Sequence, residues 1–310
     1  MNDVLQNVLS VATQVGILFI LIVVGMLITK FKIVTKKGID QIIDILLYVV
    51  TPCLIVNSFI TVKFTKETVM QLLMSAGCAV ITHIIGIIVV LLFTKVRPVS
   101  KKAVYKFGTV LSNGGFMSLP LAQALVGEKG VFLVSAYVIV FNIVVWTYGV
   151  SLFKSEEKAS KLKILLNPGV IGVIIGLPLF LLKIQFPQII MAPIAYLADL
   201  NTTLAMLVTG YFLMNSGIKD GISDIKMWLS AGLRLIVIPL VAVMIFKYAL
   251  NLSGDLLICA TIPACAPTAV NTMMISAKFG GDTALASRML TVTTVLSIVT
   301  MPLILVFAQM

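Results

Sequence analysis

Charged residues are scarce in this chain. They make up 11% of its 310 residues, whereas 60% are hydrophobic, and the mean hydropathy is +1.12. A soluble domain of this length requires far more charged surface, so the composition excludes one. Acidic residues are the rarer class, with 12 Asp and Glu against 23 Lys and Arg. The composition therefore predicts a polytopic membrane protein.

Side chains that could bind a metal or catalyse a reaction are also sparse. His83 is the single histidine, and Cys53, Cys78, Cys259 and Cys265 form no C-x-x-C pair. We expect buried thiols at these positions rather than disulfides or metal ligands. No nucleophile–base pair, metal cluster or nucleotide motif occurs. The sequence thus predicts no enzyme activity, no metal site and no cofactor.

Ten apolar stretches are long enough to cross the membrane, which takes about 20 helical residues. The first has full length and lacks a basic n-region and a cleavage site, so we expect it to remain in the mature protein. Numbered 1 to 10, the predicted spans cover residues 8–29, 39–60, 68–94, 103–126, 131–153, 164–182, 189–215, 226–250, 255–279 and 283–308.

The basic residues mark one side of the membrane. The loops after spans 1, 3, 5, 7 and 9 hold most of them, among them Lys36, Lys37, Lys101 and Lys102. By the positive-inside rule these loops are cytoplasmic, and both termini are extracytoplasmic. The net charge of +11 is therefore explained by topology. We expect a multi-pass protein of the cell (inner) membrane, with the lipid bilayer and not nucleic acid as its partner.

The chain divides into two similar halves of five spans. Residues 154–163 form a polar cytoplasmic linker between residues 1–153 and 164–310. Gly25 and Lys32 recur 151 residues later as Gly176 and Lys183. Because each half has an odd number of spans, the second half enters from the opposite side, as in the inverted repeats of secondary transporters. The predicted fold class is all-α, with ten transmembrane helices in two inverted five-helix repeats.

Spans 4 and 9 are interrupted in a way that predicts a binding site. Glycine and proline in mid-membrane leave free backbone groups, which lipid tolerates only where they line a cavity or are buried in protein. Crossed, broken helices 4 and 9 would place two helix N-termini and asparagine amides around an anion. The candidate substrate-binding residues are Asn113, Gly114, Gly115, Ser118, Pro120, Pro267, Thr268 and Asn271.

Three asparagines in other spans could face the same cavity. They are Asn57, Asn142 and Asn201, and Asn201 in span 7 would face the crossing if its helical phase permits. Neither broken segment contains an acidic residue. Sodium binding by carboxylates at the crossing is therefore disfavoured, unlike in sodium/proton antiporters that share this architecture.

Four ionisable residues within or near the spans are further candidates, since charge is expensive in a membrane. Asp44 could serve function or form an interfacial ion pair with Lys36 or Lys37. Asp199 could be a proton site or an inter-helix hydrogen-bonding group. Arg234 could form a structural ion pair, snorkel to the surface or contact an anion, and His83 could be structural or carry a proton.

The ordered set of motifs resembles the auxin efflux carrier family. It includes the spacing from Asn113 to Pro120, the run Leu197-Ala198-Asp199, and Pro52 in span 2. The family includes the plant PIN-formed auxin exporters and bacterial permeases for malate and malonate. The resemblance implies a scaffold of helices 1, 2, 6 and 7 and a transport unit of helices 3–5 and 8–10. It also implies an elevator-like motion, organic anions as substrates and a homodimer formed through the scaffold.

These observations predict a secondary transporter, an efflux carrier or permease, for a small organic anion. Its substrate would be a carboxylate such as an auxin-like monocarboxylate, malate or malonate. A sodium- or proton-coupled symporter of the bile-acid-carrier type is an alternative within the same fold. A membrane sensor that binds a ligand without transporting it is an alternative of another class.

Overall fold

The computed structural model describes residues 2–93, 95–153, 168–215 and 224–310. Helices form almost all of the regular structure in these ranges, and the one β-type feature is an isolated bridge between Ser112 and Thr268. The all-α class is confirmed for this part of the chain. The predicted linker, residues 154–163, and the start of span 6 lie outside the described residues.

Twelve helices occur in the described ranges. Seven of them, α1, α2, α3, α6, α8, α9 and α12, are long and apolar enough to cross a membrane. The count of ten spans stays a prediction, because spans 4 and 9 are each divided into two short helices and the described part of span 6 is only the short helix α7. The helices are α1 Asn2–Lys30, α2 Lys36–Thr61, α3 Lys66–Phe93, α4 Val99–Val110, α5 Gly114–Val126, α6 Glu128–Gly149, α7 Pro168–Leu181, α8 Gln188–Met214, α9 Ile225–Ala249, α10 Gly254–Cys265, α11 Asn271–Lys278 and α12 Thr283–Gln309.

Short polar side chains fix where several helices begin. The Thr35 side chain accepts a hydrogen bond from the Gly38 N–H at the start of α2, and Thr65 starts α3 with a capping box. Asp224 and Asp282 accept first-turn N–H groups of α9 and α12 in the same way. Such caps satisfy donors that the helix leaves free.

The helices α1 and α7 end in the same backbone cap. Lys32 and Lys183 have positive φ angles of 55° and 56°. The residue that follows each lysine donates its N–H to the carbonyl of the residue five positions before it. The N···O distance is 2.9 Å in the cap at Lys32 and 3.0 Å in the cap at Lys183. This is the Schellman arrangement. The sequence repeat at an offset of 151 residues thus gives the same local structure twice.

Four helices, α1, α2, α7 and α8, pack as a group through glycine contacts. A Cβ at Gly210 of α8 would lie 2.2 Å from the Ile22 carbonyl oxygen of α1, and one at Gly25 would lie 2.5 Å from a backbone oxygen of α8. The helix α7 packs along α2, where a Cβ at Gly176 would lie 3.0 Å from Phe59. Small residues allow helix backbones in membranes to approach this closely.

The remaining helices pack around the two divided spans. The helix α3 packs on α6 and α9, and α10 packs on α6 and α12. The short helix α4 packs on α12, and α5 packs on α6. This second group surrounds the point at which the chain breaks twice, and its contact with the first group leaves a cavity there.

Candidate functional site

Two extended segments meet where the divided spans break, at residues 111–113 and 266–270, and we call this meeting the crossing. Pro267 cannot donate a backbone hydrogen bond, and the preceding residue is extended, so α10 ends at Cys265. The Asn113 N–H donates to the Pro267 carbonyl at 2.7 Å, and the Ala269 N–H donates to the Leu111 carbonyl at 2.9 Å. The two segments therefore pair in antiparallel fashion and hold the N-terminal ends of α5 and α11 beside each other.

A cavity opens beside the crossing, between the two groups of helices. Its space free of atoms is about 600 Å³ when the open part is included. Leucine, valine and phenylalanine side chains of α2, α5 and α6 form its apolar wall, and its polar part comes from Asn113 of the crossing, one asparagine each of α6, α8 and α11, and Thr51. The lining residues are Leu46, Leu47, Thr51, Asn113, Gly114, Gly115, Phe116, Leu119, Val138, Phe141, Asn142, Gly169, Asn201, Ala205, Ala269 and Asn271.

Hydrogen-bonding groups without partners point to a ligand in this cavity. The amide nitrogens of Asn113 and Asn201 are buried and have no hydrogen-bond partner within the described part of the chain. The side-chain oxygen Oδ1 of Asn201 accepts from the Thr51 hydroxyl at 3.3 Å, which orients the Asn201 amide, and the Asn142 side-chain oxygen is also unpartnered. A buried polar group without a partner costs about 1–3 kcal/mol. A ligand that accepts hydrogen bonds would remove this cost for the two amide nitrogens, whereas the Asn142 oxygen needs a donor.

Helix N-termini add further donors to the cavity. The helix α5 begins with a π-helical turn, Gly114–Ser118. The Gly114 N–H already donates to the Ser112 carbonyl at 2.8 Å, and the Met117 and Ser118 N–H groups donate to the Asn113 carbonyl at 3.3 and 3.2 Å. The N–H groups of Gly115 and Phe116 are therefore the free donors of this turn. A Cβ placed at Gly115 would meet nothing within 4 Å, so this stretch of backbone is open to a ligand. Asn271 begins α11 on the other side of the crossing, where the Thr272 and Met273 N–H groups donate to the Ala269 and Val270 carbonyls, both at 3.0 Å, so this end contributes mainly its dipole. No Lys, Arg, Asp or Glu is among the described residues that line the cavity. Neutral donors and helix ends therefore form its polar side.

The predicted site residues divide into a lining set and a supporting set. Ser118 donates to the Asn113 carbonyl at 3.3 Å, and Thr268 donates to the Gly108 carbonyl at 2.9 Å. Pro120 lies in the first turns of the α5 helix, and Pro267 supplies a carbonyl to the crossing. These four shape the backbone without lining the cavity. The lining set is Asn113, Gly114, Gly115, Asn201 and Asn271.

The acidic candidates and His83 lie away from the cavity lining. Asp44 and Asp199 are both exposed, and Asp44 pairs with neither Lys36 nor Lys37 in the described structure. His83 is buried, and its Nδ1 lies 2.7 Å from the Ala79 carbonyl oxygen of its own helix.

Arg234 also lies outside the cavity lining. Its side chain has no exposed surface, so it does not snorkel to the membrane surface. Within the described residues it has no acidic partner and donates only to backbone carbonyls. Of the three roles that the sequence leaves open, the structure shows neither the ion pair nor the snorkelling arrangement.

Sequence reasoning missed most of the apolar wall and Thr51. Leu46 and Leu47 lie in a π-helical turn of α2, Leu46–Val50, directly before Thr51 and Pro52. Pro52 was the available signal, since proline inside a span marks an irregular helix. Asn142 and Asn201 do line the cavity, whereas Asn57 does not.

Comparison with known protein families gives a match along nearly the whole chain. A family model described as "Membrane transport protein" matches residues 10–163 and again residues 157–305. A comparison with curated proteins gave no match. The two matched ranges include both divided spans and every residue of the lining set.

Proposed function

Because the chain belongs to the auxin efflux carrier family of membrane transport proteins, we propose that it is a secondary transporter for a small organic anion. Membership of this family, together with several apolar spans, makes it a multi-pass membrane transporter and not an enzyme. The proposed cargo is a carboxylate of the class that includes auxin-like monocarboxylates, malate and malonate.

The unpartnered donors of the cavity carry this proposal. A carboxylate accepts hydrogen bonds only, and it would satisfy the free amides of Asn113 and Asn201 together. The N-terminal ends of α5 and α11 attract negative charge as well. An organic cation would find no carboxylate among the described lining residues. The donor set thus favours an anion over a cation.

The apolar wall narrows the proposed cargo to a carboxylate with an apolar body. Leu46, Leu47, Phe116 and Phe141 line the cavity together with the amides. Such a wall gains free energy by covering apolar surface, at about 25 cal/mol per Å². A second carboxylate, as in malate, would lie against this wall without donors. An indole-3-acetate-like monocarboxylate therefore fits better than a dicarboxylate.

In the proposed motion, the helices that surround the crossing slide as a unit along the other four helices. These four, α1, α2, α7 and α8, would be the scaffold. This assignment is supported by the close backbone packing of α1 on α8 and of α7 on α2. The cavity lies between the two groups, so sliding one along the other would expose it to each side in turn. A homodimer formed through the scaffold, two inverted repeats and extracytoplasmic termini are parts of the same proposal.

Uptake into proteoliposomes tests the function directly. We expect radiolabelled indole-3-acetate to accumulate faster than malate or malonate, with and without imposed proton and sodium gradients. Protein-free liposomes provide the background. If no labelled anion enters or exchanges while one of them still raises the melting temperature, the protein is a sensor and the transport proposal is wrong. Uptake that depends strictly on sodium would instead favour the bile-acid-carrier type of symporter.

A matched pair of variants connects the uptake to the cavity. We expect Asn113→Ala to weaken anion binding by about tenfold or more, since a hydrogen bond to a charged group contributes about 1.5–3 kcal/mol. Asp44→Asn, at an exposed position away from the cavity, should bind and transport like the wild type. Equal affinities in the wild type and Asn113→Ala would remove Asn113 from the site.

A further inference from the structure

Arg234 is a fully buried charge that the substrate cavity does not use directly. It lies in the π-helical turn of α9, Leu233–Val237, and is the one charged side chain among the buried residues that the structure describes. Its Nη1 donates to the carbonyls of Thr109 and Val110 at 3.3 and 3.2 Å, and its Nη2 donates to the Ala264 carbonyl.

The three acceptors are carbonyls at the C-terminal ends of α4 and α10. Such carbonyls have no intrahelical donor and must be satisfied in another way. At the end of α4, the Phe107 carbonyl accepts from the Leu111 N–H and the Gly108 carbonyl accepts from Thr268, and Arg234 takes the last two. The planar fork of one guanidinium therefore caps two divided helices at once.

The charge of this cap changes the electrostatics of the crossing. Each helix end carries roughly half an elementary charge, positive at the N-terminus and negative at the C-terminus. Two N-termini and two C-termini meet at the crossing, so their charges would cancel without a further group. One guanidinium neutralises the two negative ends and leaves the two positive ends of α5 and α11 unopposed.

No acid offsets the guanidinium in the described structure. The titratable side chains that face Arg234 are His83 of α3, Tyr137 of α6 and Cys265 of α10. Tyr and Cys are neutral in their ordinary state at pH 7, and His is largely so. The positive charge is therefore balanced by helix ends alone, in a low-dielectric environment where charge acts strongly.

We propose that Arg234 sets the charge selectivity of the cavity without touching the ligand. By neutralising the C-terminal ends of α4 and α10, it makes the cavity prefer a ligand with one negative charge to a neutral ligand of the same shape. The inference rests on the proposed function and names the residue that would determine its ligand class.

Binding of a charged probe and its neutral analogue tests this role. The probes are indole-3-acetate and indole-3-acetamide, which differ chiefly in charge, and they are titrated against the full chain in nanodiscs. In Arg234→Gln we expect the acetate affinity to fall about tenfold or more and the acetamide affinity to change less than about twofold. Arg234→Lys keeps the charge and should keep the preference for acetate.

The outcomes separate this inference from the proposed function. If the wild type binds no carboxylate, the proposed function and the inference resting on it both fail. If the wild type prefers acetate and Arg234→Gln keeps that preference, the function stands and the role of Arg234 is wrong. If the Lys and Gln variants lose affinity for both probes equally, Arg234 has a structural role only, and the proposed role in charge selectivity is wrong. If Arg234→Gln does not fold, Arg234→Lys provides the test. A Lys variant that binds acetamide like the wild type but no longer prefers acetate would contradict a role for charge.

Discussion

Gly115 is the point at which the backbone of α5 is most open to the cavity. A Cβ there would meet no atom within 4 Å, whereas one at the neighbouring Gly114 would lie 3.3 Å from the ring of Tyr137. Packing would therefore allow a side chain at Gly115. The absence of a side chain keeps the backbone at Gly115 open to the cavity.

Gly115→Leu should block the ligand without unfolding the protein. The new side chain would occupy the open space at the N-terminus of α5 and cover the donors there. We expect indole-3-acetate binding to fall by about tenfold or more, through loss of charge-assisted hydrogen bonds. Isothermal titration checks the affinity, and thermal melting checks the fold. A melting temperature near that of the wild type together with unchanged affinity would contradict the placement of the ligand at α5.

The sequence predicts polar site residues better than apolar ones. Asn113 and Asn201 stand out because an amide in a span needs a partner or a cavity. Leu46 and Phe141 carry no such signal, since leucine and phenylalanine occur on every face of these helices. Which of them face the ligand depends on helical phase, and the π-helical turn of α2 shifts that phase. The carbonyl partners of Arg234 also depend on tertiary packing and leave no trace in the sequence.

At the scale of the helices, the closest packing is that of α1 on α8. The backbones touch at Gly25 and Gly210, so neither position has room for a methyl group. Gly16 also lies on α1, but a Cβ there would meet nothing within 4 Å. The two kinds of glycine provide a test with a control in the same helix pair.

Gly210→Ala should destabilise the protein, because its Cβ would lie 2.2 Å from a backbone oxygen that cannot rotate away. Overpacking of this kind costs about 1–3 kcal/mol or more, which corresponds to a melting temperature lower by several degrees. Thermal melting in detergent measures the change. Gly16→Ala should melt like the wild type or slightly higher, since alanine favours helix. Equal melting of the two variants would argue against close packing of α1 on α8.

Both helix breaks were predictable, and the pairing at the crossing was not. Gly114, Gly115 and Pro267 predict the breaks, because glycine and proline both disfavour the interior of a helix. The best sequence offset between the broken segments is 153 residues, which aligns Asn113 with Ala266. That offset relates similar residues of the two halves and does not say which residues pair, and in the structure Ser112 is bridged to Thr268. Hydrogen bonds between the crossing segments set this register, and such contacts are not encoded in the spacing of similar residues.

At the scale of the molecule, the proposed sliding of two groups of helices can be arrested chemically. The Thr202 hydroxyl of α8 lies 3.5 Å from the Gln123 side-chain oxygen of α5, across the boundary between the groups. In a background without the native cysteines, Gln123→Cys with Thr202→Cys should react with a short bifunctional thiol reagent. With a bis-methanethiosulfonate reagent, which bonds to each Cys through a disulfide, we expect the cross-link to abolish uptake, and reduction of the two disulfides to restore it.

The control for this cross-link lies within one group. Lys129 of α6 and Asp255 of α10 form an ion pair at 2.9 Å, and both helices belong to the proposed mobile group. A Lys129→Cys and Asp255→Cys pair treated with the same reagent should keep its uptake. Full uptake by the cross-linked Gln123 and Thr202 variant would show that α5 does not move relative to α8 during transport.

The membrane class and the family were accessible from the sequence because they depend on composition and on motifs spread along the chain. The division into two groups of helices was accessible only through family resemblance. This division depends on how the helices pack against each other. Helix surfaces that face lipid and helix surfaces that face other helices are both apolar, so the sequence does not distinguish them. The repeat of Gly25 and Lys32 as Gly176 and Lys183 is an exception, since it encodes a backbone cap.

The uncompensated guanidinium at the crossing has a consequence for the energetics of a working cycle. If the mobile group carries Arg234 through the membrane field, the empty form moves one positive charge and the form loaded with a monocarboxylate moves none. A membrane potential contributes about 2.3 kcal/mol per elementary charge for each 100 mV. The membrane potential would then act on the step in which the empty carrier moves and leave the loaded step unaffected, so that charge movement and anion flux would occur in different halves of the cycle.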